Sequence, residues 1–302
     1  MRVLFVASYN KGYYAPFIVE QAEALQECGC KIEFFGVTGK GIKGYVSSFP
    51  SLKDAIKRFS PDIIHAHYGL CGLLANLQRK IPVVTTYHGS DINEKSVLPF
   101  SKIAIALSRF NIFVSQRTID IAKPHKDFAL LPCGVDLNDL QLTDKKEARS
   151  KMGLEQGKKY VLFAGAFDNP VKNYPLAIAA MGLIPEAELI ELKGYTRDQV
   201  TLLMCAADAL LMTSFTEGSP QVVKEAMACG CPIVSVDVGD VPLLLSDVEN
   251  CLIITRNPEQ IATCLKSVFG TRSNGRSRIC ELNLENKYII EKLSQIYNNL
   301  VK

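Results

Sequence analysis

The sequence predicts an α/β protein of two domains, each a series of strands alternating with helices. Three observations carry this. Both halves open as strand, helix, strand: RVLFVA (2–7), PFIVEQAEALQECG (16–29) and KIEFFGV (31–37) in the first, then YVLFAGAF (160–167), the loop and helix of DNPVKNYPLAIAAM, and AELIELKG (187–194) in the second. Between the halves, residues 137–158 turn polar and charged, as linkers do, with one short helix expected at 144–152. At 302 residues, 48% hydrophobic and 22% charged, the chain is globular and long enough for two cores.

The same numbers exclude several classes. No run of 18 uninterrupted apolar residues exists, so no membrane-spanning helix is expected, and the apolar start MRVLFVASYN is too short and too strand-like for a signal peptide. A net charge of +3 is too small to argue for nucleic acid. The ten cysteines are scattered, none in C-x-x-C spacing, and most sit in apolar runs, which reads as free thiols in a reducing cytoplasm. The pairs Cys28/Cys30 and Cys229/Cys231 lack zinc-site spacing.

Taken in order, the first strand, 2–7, exits into Ser8-Tyr9-Asn10-Lys11-Gly12-Tyr13-Tyr14. This loop has no G-x-G-x-x-G, which argues against a dinucleotide dehydrogenase; its tyrosines suit either stacking on a sugar face or plain packing. Residues 39–45 read as a flexible basic stretch, followed by a short helix in LKDAIKRFSPD. Lys40, Lys43, Lys53, Lys57 and Arg58 make this the most basic neighbourhood of a half that carries 16 Lys/Arg against 12 Asp/Glu. Such a patch is a solvated face or an attraction for anionic lipid headgroups or a pyrophosphate-linked acceptor. DIIHAH (62–67) is a buried strand leading to a helix at 70–80. His65 and His67 share one strand face, which suits a metal pair or packing at the strand end. IPVVTTYHGSD (81–91) is the next strand and its exit, with His88 at the strand end, Gly89 permitting close approach and Asp91 placed to cap or orient. NIFVS (111–115), a helix near 116–123 and DFALLPCGVD (127–136) close the half.

In the second half, RDQVTLLMCAAD (197–208) reads as a helix and DALLMTS as a buried strand. The stretch TSFTEGSPQVVKEAMACGCPIVS (213–235) then places Glu217 and Glu225 with seven residues between them. Ser219 is the expected N-cap and Pro220 the first helical residue. Glu217 would stand just ahead of a helix N-terminus, where an anion is favoured, and Glu225 about one and a half turns inside. Either glutamate alone is ordinarily a solvated surface residue. Their place at the carboxyl end of a buried strand of an open sheet is where ligands bind.

EGSPQVVKEAMACGCPIVS resembles the E-x7-E signature of the family-4, group-1 glycosyltransferases, the retaining enzymes of GT-B fold. DIIHAHYG, TYHGSD and LPCGVD resemble their N-terminal domain, with Cys133 where relatives have Asn, so the resemblance covers nearly the whole chain. It implies two Rossmann-like domains facing a cleft, with a shortened C-terminal domain: one strand–helix unit with a G-D-G-P loop is missing between 194 and 197. The expected division is 1–140 (with a crossover helix at about 284–302), a linker at 141–158, and 159–283 for the donor. Residue by residue, the resemblance implies catalytic roles for His88, Glu217 and Lys172. It implies donor binding by Glu225, Gly218, Ser219, Pro220, Asn173, Gly194 and Tyr195, and an acceptor side of Asn10, Lys11, Gly12 and Asp91.

The departures are as specific. Relatives carry an arginine after the strand glycine and a lysine six residues later, a clamp on the donor diphosphate; Lys172 matches the lysine, but Ala166 stands in the arginine position. Asn169 or Asn173 would supply neutral donors, Arg197 would substitute, or the donor is held more weakly. Only Gly12 remains of the usual Gly-Gly loop, and Asp240 and Leu243 replace a glycine and a glutamate. The expected activity is transfer of a sugar from a nucleoside-diphosphate sugar, UDP-sugar favoured over GDP-sugar, to a glycan or lipid-linked glycan of surface polysaccharide biosynthesis. Retention of configuration is expected, with no cofactor and no metal. The site of action would be the cytoplasm, with a possible peripheral contact on anionic membrane. The alternative is a sugar-nucleotide-binding protein that has lost turnover and serves in a biosynthetic assembly.

Overall fold

The computed structural model describes residues 1–39, 41–125 and 127–301. Lys40, part of the basic neighbourhood expected from the sequence, lies outside them. The chain divides into two compact units, Met1–Gly134 with Asn286–Lys302, and Val135–Glu285.

In the first unit the chain runs β1 (Arg2–Ser8), α1 (Pro16–Glu27), β2 (Lys31–Val37), α2 (Gly41–Ser47), α3 (Phe49–Phe59), β3 (Ile63–His67), α4 (Gly69–Asn76), β4 (Val83–Tyr87), α5 (Ser90–Asn93), α6 (Leu98–Leu107), β5 (Phe110–Phe113), α7 (Gln116–Ala122) and β6 (Phe128–Leu130). The second unit contains α8 (Lys145–Met152), β7 (Lys159–Phe163), a 3-10 turn (Pro170–Lys172), α9 (Tyr174–Met181), β8 (Ala187–Glu191), α10 (Arg197–Ala206), β9 (Ala209–Met212), α11 (Gln221–Ala228), β10 (Ile233–Val236), α12 (Val241–Leu244), β11 (Cys251–Ile254), α13 (Pro258–Val268) and α14 (Gly275–Glu281). The chain then returns to the first unit as α15 (Asn286–Val301).

Both sheets are parallel throughout. The first has six strands in the order β2-β1-β3-β4-β5-β6 and the second five, β11-β10-β9-β7-β8. The central strands are continuous apolar runs because both faces are covered by helices: Val3 to Ala7 of β1 and Ala209 to Met212 of β9 are fully buried. Helices supply the cover through one apolar stripe each. In α1 the stripe is Ile18, Ala22 and Leu25, and Pro16 starts the helix where its missing N–H costs nothing. In α15 it is Ile289, Ile290, Leu293 and Tyr297, which pack into the same core as Ile18 and Leu25.

The strand order reverses between β1 and β3 in the first sheet and between β7 and β9 in the second. Loops leaving the carboxyl ends of those strands diverge and open a crevice, the place where ligands bind in such sheets. That topology puts 9–15 and Tyr68 at one switch point, and 164–172 and 213–220 at the other.

Several expectations from the sequence are corrected. The units divide at Gly134 and at Glu285, not at 140 and 283, and the segment expected as a linker at 141–158 is built into the second unit. The reason is Arg149, buried on α8: its guanidinium donates to Ala206 O at 3.0 Å, to Gln156 O at 2.5 Å and to Asp208 Oδ2 at 2.8 Å. Lys145 Nζ meets the other oxygen of Asp208 at 2.7 Å. A charge-rich stretch is therefore an anchor, because its charges find a buried partner. The stretch 39–45 is not merely flexible: it contains most of α2, in which Ile42 and Val46 are exposed. The helix expected at 70–80 ends at Asn76, whose side chain donates to Gly72 O and to Ser108 Oγ.

Candidate functional site

In the second unit, β7 ends at Phe163 and the chain turns through Gly165 (φ +154), where an added Cβ would lie 2.9 Å from Lys172 Cγ and Cε. The glycine leaves room for the lysine stem to cross the turn. Lys172 closes the 3-10 turn whose cap is Asn169, with Oδ1 accepting from Val171 N. The loop leaving β9 is tied to this turn: Thr213 Oγ1 lies 2.7 Å from Lys172 O, and Phe215 N donates to Val171 O at 2.9 Å. Lys172 Nζ thereby reaches Glu217 Oε1 at 2.7 Å, with both side chains less than one-fifth exposed.

Glu217 is followed by the tight turn Gly218-Ser219-Pro220. The N-cap of α11 is Pro220, one residue later than expected, and Ser219 makes no capping bond: its Oγ is buried without a hydrogen bond from the described residues. Proline has no N–H and an extended backbone here (φ −70, ψ 119), so it ends the turn and Gln221 starts the helix. The turn is closed from above by Gly239 (φ +56), where a Cβ would lie 2.5 Å from Gly218 O and 3.2 Å from Glu217 Cβ. Arg256 holds its other side, donating to Ser214 O at 2.8 Å.

Glu225 is buried on α11, its side chain 7% exposed, and Oε1 accepts from Arg197 Nη1 at 2.6 Å. Arg197 is the first residue of α10. Thr196 caps that helix and Gln199 completes the capping box, so the base is fixed at its backbone. The turn before it, Lys193-Gly194-Tyr195, uses Gly194 at φ +83 and leaves Tyr195 exposed. Asn173, in the left-handed region (φ +54), ends the 3-10 turn and starts α9. Thus the structure gathers Lys172, Glu217, Gly218, Ser219 and Pro220, and separately pairs Glu225 with Arg197.

In the first unit, a cavity of about 530 Å³ opens at the carboxyl ends of β1, β3 and β4, and its lining includes Asn10, Lys11, Tyr13, Tyr68, Asp91 and Glu94. Gly12 is not part of the lining; it turns the loop at φ +77. Asn10 is a staple: Oδ1 accepts from Gly39 N at 2.7 Å and Nδ2 donates to Gly39 O at 3.0 Å. The loop tyrosines divide between the two readings. Tyr9 and Tyr14 rings pack together at 4.8 Å, with Tyr14 on Phe34 at 4.7 Å, while Tyr13 is 59% exposed at the cavity. Tyr68 holds φ +73, ψ 150, a conformation otherwise almost confined to glycine, fixed by Tyr68 N donating to Thr86 O and Gly72 N donating to Tyr68 O.

His88, the residue after β4, is not among the residues lining that cavity. Its Nε2 lies 3.1 Å from His67 Nδ1 and its Nδ1 4.0 Å from Cys133 Sγ, so the cysteine that departs from the usual Asn touches the histidine. Phe17 and Tyr68 flank the ring at 4.9 and 4.6 Å. Asp91 fixes the backbone there: Oδ1 accepts from His88 N and Gly89 N, and Oδ2 from Gly69 N, at 3.0–3.1 Å. Burial pushes its carboxyl up to about 6 against those lowering bonds. His65 is bonded to Thr86 Oγ1 at 2.7 Å and to Tyr297 OH at 2.5 Å, and burial holds its imidazole down at about 3. The His65 and His67 rings pack 4.4 Å apart, with His65 bonded to Thr86 and Tyr297 and His67 to His88.

Sequence reasoning missed Tyr68, Gly165, Gly239 and the Arg197–Glu225 pair. The glycines stood beside quoted motifs and were findable; the strain at Tyr68 leaves no mark in a one-dimensional pattern.

Comparisons with known proteins bear on both units. A family described as Glycosyltransferase Family 4 matches residues 17–139, and one described as Glycosyl transferases group 1 matches 184–270. A teichuronic acid biosynthesis glycosyltransferase of Bacillus subtilis (strain 168) is 27% identical over 235 residues, covering 68% of this chain and 60% of its own. A D-inositol 3-phosphate glycosyltransferase of Mycolicibacterium gilvum is 26% identical over 260 residues, with 69% and 58% covered. The chain thus spans about three fifths of the length of these curated relatives. Among solved structures, a sucrose-phosphate synthase of Thermosynechococcus elongatus superposes with a TM-score of 0.85 at 17% identity over 99% of both chains. Anabaena HepE in complex with UDP and glucose gives 0.80 at 17% identity, over 99% of this chain and 100% of that one.

Proposed function

This chain has the GT-B fold and belongs to the group-1 glycosyltransferases, and on that premise we propose that it moves a sugar from a nucleoside-diphosphate sugar, a UDP-sugar in preference, to an acceptor hydroxyl with retention at the anomeric carbon. The observation that carries the reading is the Lys172–Glu217 pair at the β7/β9 switch point, directly ahead of the N-terminus of α11. In the reaction the acceptor oxygen bonds to the anomeric carbon as the bond from that carbon to the β-phosphate oxygen breaks. The acceptor proton passes to the departing phosphate oxygen, and the nucleoside diphosphate leaves. Negative charge grows on that phosphate, where Lys172, the α11 N-terminus and Ser219 Oγ are placed to receive it. Glu217 fixes hydroxyls of the transferred sugar, and Glu225 takes the ribose hydroxyls. Positive charge from lysine and helix is sufficient on this reading, and turnover persists in a chelator.

The acceptor enters the first-unit cavity. Tyr13 and Tyr68 offer aromatic faces to a sugar ring and Lys11 and Glu94 offer polar contacts, which supports a glycan or lipid-linked glycan. The exposed Ile42 and Val46 of α2 beside Lys43 support a peripheral contact with anionic membrane; among the described residues no helix is long and apolar enough to cross one. Ten cysteines free of disulfides favour action in the cytoplasm.

Release of nucleoside diphosphate from a panel of nucleotide sugars, with and without glycan acceptors, tests the reading. Ala166, which removes the usual arginine, favours a second one: a sugar-nucleotide-binding protein without turnover. A donor that raises thermal stability yet is never turned over would establish the second reading and sink the first.

A further inference from the structure

We infer that Arg197 is a positioning residue for the donor's ribose: it holds the Glu225 carboxylate aimed, and so makes recognition of the nucleotide depend on its ribose hydroxyls. The inference rests on the nucleotide-sugar reading above and adds to it a residue that acts through Glu225.

Three observations meet at this pair. Glu225 is nearly buried, and a carboxylate so placed needs a polar partner. That partner is Arg197 alone among the described side chains: Nη1 donates to Oε1 at 2.6 Å, and Oε2 carries no hydrogen bond from the described residues. One oxygen is therefore committed and the other is left for a ligand's hydroxyl. Second, the guanidinium is itself 47% exposed and stands at the first position of α10, locked by the Thr196–Gln199 capping box. It stands at the rim of the site on a backbone that the cap fixes beside Glu225. Third, the diphosphate falls to Lys172 on the reading above, at the Glu217 end where the two side chains meet at 2.7 Å, and Ala166 supplies no second cation. Of the open routes for the missing arginine, the geometry favours a different use of Arg197. Its charge is directed to the carboxylate at the ribose end and not to the diphosphate.

The test is equilibrium binding of UDP and of 2′-deoxy-UDP to the full chain, wild type and the variants Arg197→Met, Arg197→Lys and Glu225→Gln. A hydrogen bond from a hydroxyl to a charged acceptor corresponds to about a tenfold or greater preference for UDP over its deoxy analogue in wild type. In Arg197→Met that preference falls to within about threefold, because UDP weakens while 2′-deoxy-UDP barely changes; Glu225→Gln does the same and Arg197→Lys lies between. An unchanged preference in Arg197→Met overturns the inference. So does an equal weakening of both ligands, which would place Arg197 on the phosphates or the base. Thermal midpoints identify any variant that has lost its fold; Arg197→Lys then decides, a preference equal to wild type counting against the inference. Failure of wild type to bind either nucleotide would sink the donor reading itself, a result distinct from binding without discrimination.

Discussion

Glu217 and Glu225 occupy one turn and the helix that follows it, and single substitutions will separate their roles. Glu225→Ala weakens donor binding by roughly tenfold or more, as loss of a charged acceptor does, whereas Glu217→Ala lowers turnover more than donor affinity. Kinetics equal to wild type in both would refute the assignment. His65 makes a second prediction. Its folded imidazole is held at about 3, below the ordinary 6.5, so the unfolded chain takes up a proton that the folded ring refuses. The stabilisation is complete above pH 6.5 and drains away as pH falls toward 3, about 2 kcal/mol being lost at pH 5 from His65 alone. His67 shifts in the same direction. Asp91, raised from 3.8 to about 6, acts oppositely and returns about 1 kcal/mol on acidification to pH 5. Denaturant midpoints will therefore fall from pH 7.5 to 5, and His65→Gln will flatten the slope; a midpoint that rises on acidification contradicts the argument. At this scale Glu217 and Glu225 were legible because their spacing puts both on one strand–turn–helix, and Lys172 because it matches the lysine of the family's diphosphate clamp. Arg197 on Glu225 was not, since the folding of the chain between positions 28 apart decides whether the two side chains meet.

Elements are held by a few buried contacts that substitutions can address. Asp208 accepts from Arg149, Lys145 and the backbone N–H of Tyr160, and its removal leaves Arg149 buried without its carboxylate. Asp208→Ala will cost about 3–5 kcal/mol and release α8, seen as protease sensitivity around 141–158. Full stability in that variant would mean the segment is the linker its composition suggests. Gly239→Ala forces a Cβ to within 2.5 Å of Gly218 O in a left-handed backbone. It will displace the Glu217 turn and cut turnover more than tenfold at a stability cost of about 1–3 kcal/mol. Parallel strands were easy to read, because runs such as 2–7 and 209–212 are apolar on both faces. The helix α6 was not: its IAIAL alternates like a strand, and only packing on α4 selects the helical form.

For the molecule as a whole, two alternating β-α series and a change of composition between them sufficed to expect two domains. The positions of the divisions were beyond reach, since they depend on which core Val135 and Asn286 join. Removing residues 286–302 will strip Ile289, Leu293 and Tyr297 from the first core and abolish its cooperative unfolding, while the second unit keeps its own transition. A truncated chain with both transitions intact would show α15 to be dispensable.

The first unit is interrupted by the second, and the interruption is sealed on both sides: Val135 N donates to Leu284 O at 2.9 Å, and Gly134 sits so close to Asn286 that a Cβ would lie 2.9 Å from its Cα. During synthesis this imposes a schedule. All six strands of the first sheet emerge early, yet the groove over α1 stays uncovered until the whole of the second unit has been made. For that interval the core that Ile289, Ile290, Leu293 and Tyr297 complete is open to water, and the nascent chain is at its most exposed to chaperones and to self-association.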